Sequence, residues 1–128
     1  GGAREASAPA ASVGAKLPAA AGPGELQVEA QGRWFRLGGG EIVDLSRKRT
    51  LRPLLLALVE LHLEQPGEAL DVDGVFRAVW GAERILAEAK KNRVYVAIAT
   101  LRKAGLDAAI ETRGDGYLLR PGLVTAWA

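Results

Sequence analysis

The run from Lys90 to Lys103, KKNRVYVAIATLRK, constrains the fold more than any other part of the chain, because it carries two opposed chemistries at helical periodicity. Val94, Ala97, Ile98 and Leu101 fall on one helix face, an apolar stripe that folding must cover. Asn92, Arg93, Val96, Thr100 and Lys103 point the other way. That outward set joins cations that seek phosphates, an amide able to pair with an adenine edge, and small groups that permit close approach to bases. A merely solvated face more often alternates Glu with Lys. The stripe therefore predicts a helix docked on a core, with an outer face suited to a DNA groove.

The surrounding pattern says what the helix docks on. Residues 1–24, GGAREASAPAASVGAKLPAAAGPG, offer almost nothing large to bury, and their Ala, Gly, Pro and Ser composition predicts a disordered linker. Position 1 is Gly, not an initiator Met, so the expectation is a piece of a longer chain. A domain is expected over residues 25–122, followed by a C-terminal tail at 123–128. From Leu26 to Leu45, Leu26, Val28 and Ala30 alternate with polar neighbours, and Trp34, Phe35, Leu37, Ile42 and Val43 follow. Turns fall at Gln31-Gly32 and Gly38-Gly39-Gly40, which predicts a small antiparallel sheet of three or four short strands.

Three helices are expected next. Leu51, Leu54, Leu55, Leu58 and Leu61 mark the first, with Thr50 as its cap, Pro53 tolerated in its first turn and Pro66-Gly67 ending it. Asp71 is a good N-cap for the second, whose Val72, Val75, Phe76 and Val79 point inward and which stops at Trp80-Gly81. A connection over residues 81–89 leads to the third helix, at about 90–104, ended by Gly105. Finally, residues 108–119 place two β-prone runs around Arg113-Gly114-Asp115-Gly116, a hairpin turn by composition. Trp34, Trp80 and Tyr117 are expected as core aromatics.

Composition narrows the chemistry. The chain has no Cys and one His, His62, which excludes disulfides and thiolate chemistry and leaves no ligand cluster for a transition metal. No apolar run reaches the roughly 20 residues of a membrane span, and no signal-peptide pattern opens the chain, so a cytoplasmic protein with no membrane partner is expected. The carboxylate pairs Asp71/Asp73 and Glu60/Glu64 lack a neighbouring nucleophile or base, and Gly38-Gly39-Gly40 lacks the Lys-Ser/Thr of a phosphate loop. The expectation is therefore no catalytic residue, no metal and no cofactor.

Net charge is only +2, yet it is segregated. Residues 60–83 hold six acids and one base, whereas residues 84–103 hold six bases and one acid. A second basic knot, Arg47, Lys48, Arg49 and Arg52, lies upstream. One face for a polyanion and another kept away from it would have this pattern.

The order strands, helix, helix, loop, basic helix, hairpin resembles the winged-helix effector domain of OmpR/PhoB-type transcriptional regulators. Val79-Trp80-Gly81 is similar to the family's V-W-G, residues 93–103 to its recognition helix ending I-x-x-L-R-K, and Arg113-Gly114-Asp115-Gly116-Tyr117 to its R-G-x-G-Y wing. The likeness covers roughly residues 26–120. It implies an α+β winged helix-turn-helix with an N-terminal antiparallel sheet, three helices and a C-terminal hairpin wing at about 108–119. It also implies sequence-specific binding of double-stranded DNA by a bacterial response regulator. Lys90, Lys91, Asn92, Arg93, Val96, Ala99, Thr100 and Arg102 would then lie at or near the major groove, and Arg113 at a minor groove.

For Arg102, a salt bridge to a neighbouring acid is the other role open to it. The loop holding Arg84, Ile85 and Leu86 resembles the family's RNA polymerase contact, although Ile85 and Leu86 can equally fold back as core. Tandem binding to direct repeats and an upstream regulatory domain are implied as further partners. Three positions depart from the family pattern: Ala99 and Thr100 where cations are common, Asp115 at the wing tip, and Arg49 where a capping-box Glu would stand. These departures keep a second class open, a winged helix serving as a protein-interaction module.

Overall fold

The computed structural model describes residues 25–128, so the expected linker at 1–24 lies outside the described residues. The described chain is α+β, with three α-helices, a four-stranded sheet and a separate two-stranded hairpin. Strands β1 (Glu25–Val28), β2 (Trp34–Leu37) and β3 (Val43–Asp44) form an antiparallel meander. The first turn is fastened by Glu29, whose Oε1 accepts the backbone N–H groups of Gln31 (3.1 Å) and Arg33 (2.9 Å). Those bonds favour the charged carboxylate. They hold Glu29 below its ordinary pKa, chiefly through the Arg33 N–H, and Asp44 is lowered in the same way by the Ser46 N–H.

The C-terminal tail expected at 123–128 is instead a strand, β6 (Val124–Trp127), which pairs in parallel with β1 and completes the sheet order β3-β2-β1-β6. The physical reason is that β1 is buried along Leu26, Gln27 and Val28, and its second edge needs backbone partners. Leu123, just before β6, is 3% exposed, and its carbonyl accepts a 2.7 Å hydrogen bond from Nε2 of the buried His62. Because a carbonyl only accepts, the proton sits on Nε2.

Helix α1 (Leu51–Glu64) forms the spine, with Leu54, Leu55, Leu58 and Val59 essentially inaccessible to water. Each such side chain contributes about 1.5–3 kcal/mol by leaving water. Thr50 does not cap it. Its backbone is already helical (φ −77°, ψ −40°), so its side chain makes no capping bond. Helix α2 (Val72–Trp80) is capped as expected, Asp71 Oδ1 accepting the Gly74 N–H at 2.7 Å. A Cβ on Gly74 would lie 2.7 Å from Leu70 Cδ1, the end of a flexible side chain that can turn aside.

Helix α3 (Ala87–Leu101) begins three residues before the expected Lys90. Leu86, its N-cap, makes no side-chain capping bond, so the usual Ser, Thr, Asp or Asn signal for a helix start is missing. Its predicted stripe of Val94, Ala97, Ile98 and Leu101 is buried. A wider helical turn, Arg102–Leu106, continues it until Gly105, whose φ of 144° breaks the helix where Phe35 packs close.

The hairpin strands β4 (Ile110–Arg113) and β5 (Gly116–Leu119) follow with the expected turn between them. The hairpin is docked on the body: Leu70 and Tyr117 exchange backbone hydrogen bonds of 2.8 and 2.9 Å, an approach so close that a Cβ on Gly116 would sit 3.0 Å from the Leu70 carbonyl oxygen. Trp80 and Tyr117 pack half-buried against the core as expected, and Trp34 is half-buried on β2. No helix of the described residues is long and apolar enough to cross a membrane.

Candidate nucleic-acid interface

Burying Val94, Ala97, Ile98 and Leu101 leaves the opposite face of α3 outward, and this single constraint fixes the candidate site. Along that face a groove of about 680 Å3 runs between α3 and the turn before α1. Asn92, Arg93, Val96 and Thr100 line one wall, Arg47, Lys48, Arg49 and Thr50 the other, with Trp80, Leu51 and Ala97 between them. No carboxylate among the described residues lines it. Arg47, Lys48 and Arg49 are exposed; Arg47 interacts electrostatically with the Asp44 carboxylate, whereas Lys48 and Arg49 have no side-chain partner among the described residues.

The start of α1 reinforces this positive wall. The 14-residue helix has no side-chain cap and no acid in its first turn, so the partial positive charge of its N-terminal N–H groups is not offset there. The missing capping-box Glu is thus part of the groove's electrostatics. An Arg at position 49 adds charge of the same sign.

The cations of α3 are held differently. Lys90 Nζ bonds Asp73 Oδ1 at 3.0 Å and lies 5.2 Å over the Phe76 ring. One turn on, Arg93 Nη1 bonds Glu83 Oε2 at 3.0 Å and its guanidinium lies 5.7 Å over Trp80. Phe76 and Trp80 touch each other at 5.1 Å between centroids. The α2–α3 seam is therefore a two-rung ladder, each rung a carboxylate, a cation and a ring. Both ion pairs reach solvent, so each contributes only about 0–1 kcal/mol to stability. Lys91 and Asn92 are exposed without such ties, Val96 is 52% exposed, and Ala99 and Lys103 also face out. The Thr100 hydroxyl donates to the Val96 carbonyl at 2.8 Å.

Arg102 is hydrogen-bonded within the fold in place of the expected salt bridge. Its Nη2 donates to the Ile110 carbonyl (3.0 Å) and to Thr112 Oγ1 (2.9 Å), which ties the end of α3 to β4. No carboxylate pairs with it among the described contacts. Arg113 is also engaged, donating to the Gly67 carbonyl and to Glu111 Oε2, both at 2.9 Å, beside the hairpin turn. In the loop before α3, Ile85 packs half-buried against the core while Leu86 is 80% exposed and Arg84 is exposed.

On the hairpin side, Asp115 and Glu88 share a cleft with Lys91, Asn92, Tyr95 and Tyr117. The positive character therefore belongs to the α1 side of α3, and the hairpin side is mixed. Tyr95, 65% exposed in that cleft, was not expected as a site residue. Its helical phase is the available signal, because it lies one step off the stripe and has no core to enter. The Arg47-Lys48-Arg49 wall was visible only as charge, since its nearness to Asn92 depends on how α1 crosses α3.

No protein-family model matches the chain, and no curated protein matches it.

Proposed function

We propose that this chain is a winged-helix domain of the OmpR/PhoB type that binds double-stranded DNA in a sequence-specific manner, as the effector part of a bacterial transcriptional regulator. In this reading α3 lies in the major groove, the β4–β5 hairpin acts as the wing, and the turn before α1 grips the backbone. The observation that carries it is the groove, lined by no carboxylate among the described residues, in which Arg47, Lys48 and Arg49 face the outward side of α3. A 15-residue helix is about 22 Å long, and the major groove, about 12 Å wide, admits one.

The roles divide by chemistry. Arg47, Lys48, Arg49 and Lys91, exposed cations of which only Arg47 has a carboxylate, Asp44, acting on it among the described residues, take phosphates, which position the domain without reading sequence. Asn92, Arg93 and Val96 read base edges: the amide suits adenine, the guanidinium suits guanine and the isopropyl group suits a thymine methyl. The exposed Leu86, with Arg84 beside it, is the surface available for RNA polymerase. An upstream regulatory domain and tandem occupancy of direct repeats complete the proposal.

The mixed hairpin side supports a second reading, a protein-interaction module, because Asp115 and Glu88 oppose a phosphate backbone there. Selection of bound sequences from a random duplex pool decides between them. A recurring motif is the expected result. No enrichment, together with no duplex retention at low salt, favours the protein-binding module.

A further inference from the structure

The Glu83–Arg93–Trp80 arrangement holds an arginine in the middle of the candidate reading face with its charge already answered. Arg93 lines the groove beside Asn92 and Val96, lies 5.7 Å over Trp80, and donates from Nη1 to Glu83 Oε2 at 3.0 Å. Its Nε and Nη2 make no hydrogen bond among the described residues. A guanidinium carries five N–H donors in a rigid fork, so this single bond leaves most of the fork available. The ring below and the carboxylate beside it restrict where that fork can point. Glu83 sits in the short loop between α2 and α3, outside the groove, and its side chain is 44% exposed.

We propose that Glu83 is a specificity-determining residue: it neutralises Arg93 and aims it, so that Arg93 reads a base edge instead of joining the phosphate grip. This rests on the DNA-binding reading above. The two roles of an arginine differ measurably. A free cation that takes a phosphate releases counterions and binds any duplex. One already paired in the free protein contributes little to that release, and what it adds must come from directed hydrogen bonds. Glu83 thus withholds one cation from indiscriminate binding and reserves it for a matching base.

Glu83→Gln tests this, since it keeps the shape of the side chain and removes its charge. The probes are a random-sequence duplex and the duplex enriched by selection, each titrated across a salt series, with thermal unfolding as the check on folding. Freed Arg93 adds one phosphate contact, so the slope of log affinity against log salt on random duplex steepens by about 0.9 and affinity at 0.1 M salt rises about eightfold. Preference for the enriched duplex over the random one falls correspondingly.

The same change in an Arg93→Ala background isolates the route, because there Glu83→Gln is expected to leave the slope unaltered. An equal steepening in that background overturns the proposal, showing Glu83 to be a general repulsive charge. Wild-type slope and preference in Glu83→Gln alone also overturn it, while the DNA-binding reading stands. If the unaltered protein retains no duplex at low salt, both fall together.

Discussion

Replacing Arg102 with Ala separates a structural arginine from a DNA-reading one, and the geometry gives the size of the effect. The guanidinium is half-buried, and Nη2 serves two acceptors on β4, the Ile110 carbonyl at 3.0 Å and Thr112 Oγ1 at 2.9 Å. A hydrogen bond from a charged donor contributes about 1.5–3 kcal/mol when shielded from water. Ile110 is only 5% exposed, so water replaces that bond poorly, whereas Thr112 is exposed and recovers most of its loss. The expected cost is about 1–2 kcal/mol, or a fall in Tm of roughly 5–15 °C for a domain near 100 residues. Hydrogen exchange should report it locally, with β4 and β5 amides losing protection before those of α1. Arg102→Lys, a single point donor, should fall between wild type and Ala. Wild-type melting and hairpin protection in Arg102→Ala, combined with lost duplex affinity, would show that Arg102 contacts DNA and does not brace the hairpin.

Three further outcomes follow from single features. Gly105→Ala forces a side chain into φ 144° with Phe35 Cζ 3.3 Å from the new Cβ, and should destabilise the domain by more than about 1 kcal/mol in denaturant titration. Asp71→Ala removes the cap on Gly74 N–H and should cost about 1 kcal/mol, read in the same assay. Glu29 and Asp44 both titrate below the ordinary carboxylate range in the folded chain. Their contribution is therefore full above a pH of about 4 and is lost as pH falls through the lower folded-state values. An acid melt of Glu29→Gln should accordingly be flatter than that of wild type; a parallel acid limb would count against the turn bonds as the cause.

Local chemistry made much of this fold legible. Asp71 as a cap, Gly81 and Gly105 as stops, the stripe Val94-Ala97-Ile98-Leu101 and the hairpin turn each act within a few residues, and each is where the sequence puts it. What escaped depends on partners distant in sequence. The segment VTAW is only four residues long, and becomes β6 because β1, about a hundred residues earlier, presents an open edge. Lys90 and Arg93 read as free cations because Asp73 and Glu83, 17 and 10 residues away, meet them only once α2 packs on α3. The crossing of α1 and α3 brings Arg47, Lys48 and Arg49 beside Asn92, which no periodicity along the chain reveals.

Whether the groove between α3 and the turn before α1 grips duplex phosphates is decided by the salt dependence of duplex affinity in wild type and in the triple variant Arg47→Ala/Lys48→Ala/Arg49→Ala. Four phosphate contacts, from these residues and Lys91, predict a wild-type slope of about −4 in log affinity against log salt, falling to about −1 in the variant. An unchanged slope in a folded triple variant, or no duplex binding by wild type at low salt, contradicts such a grip.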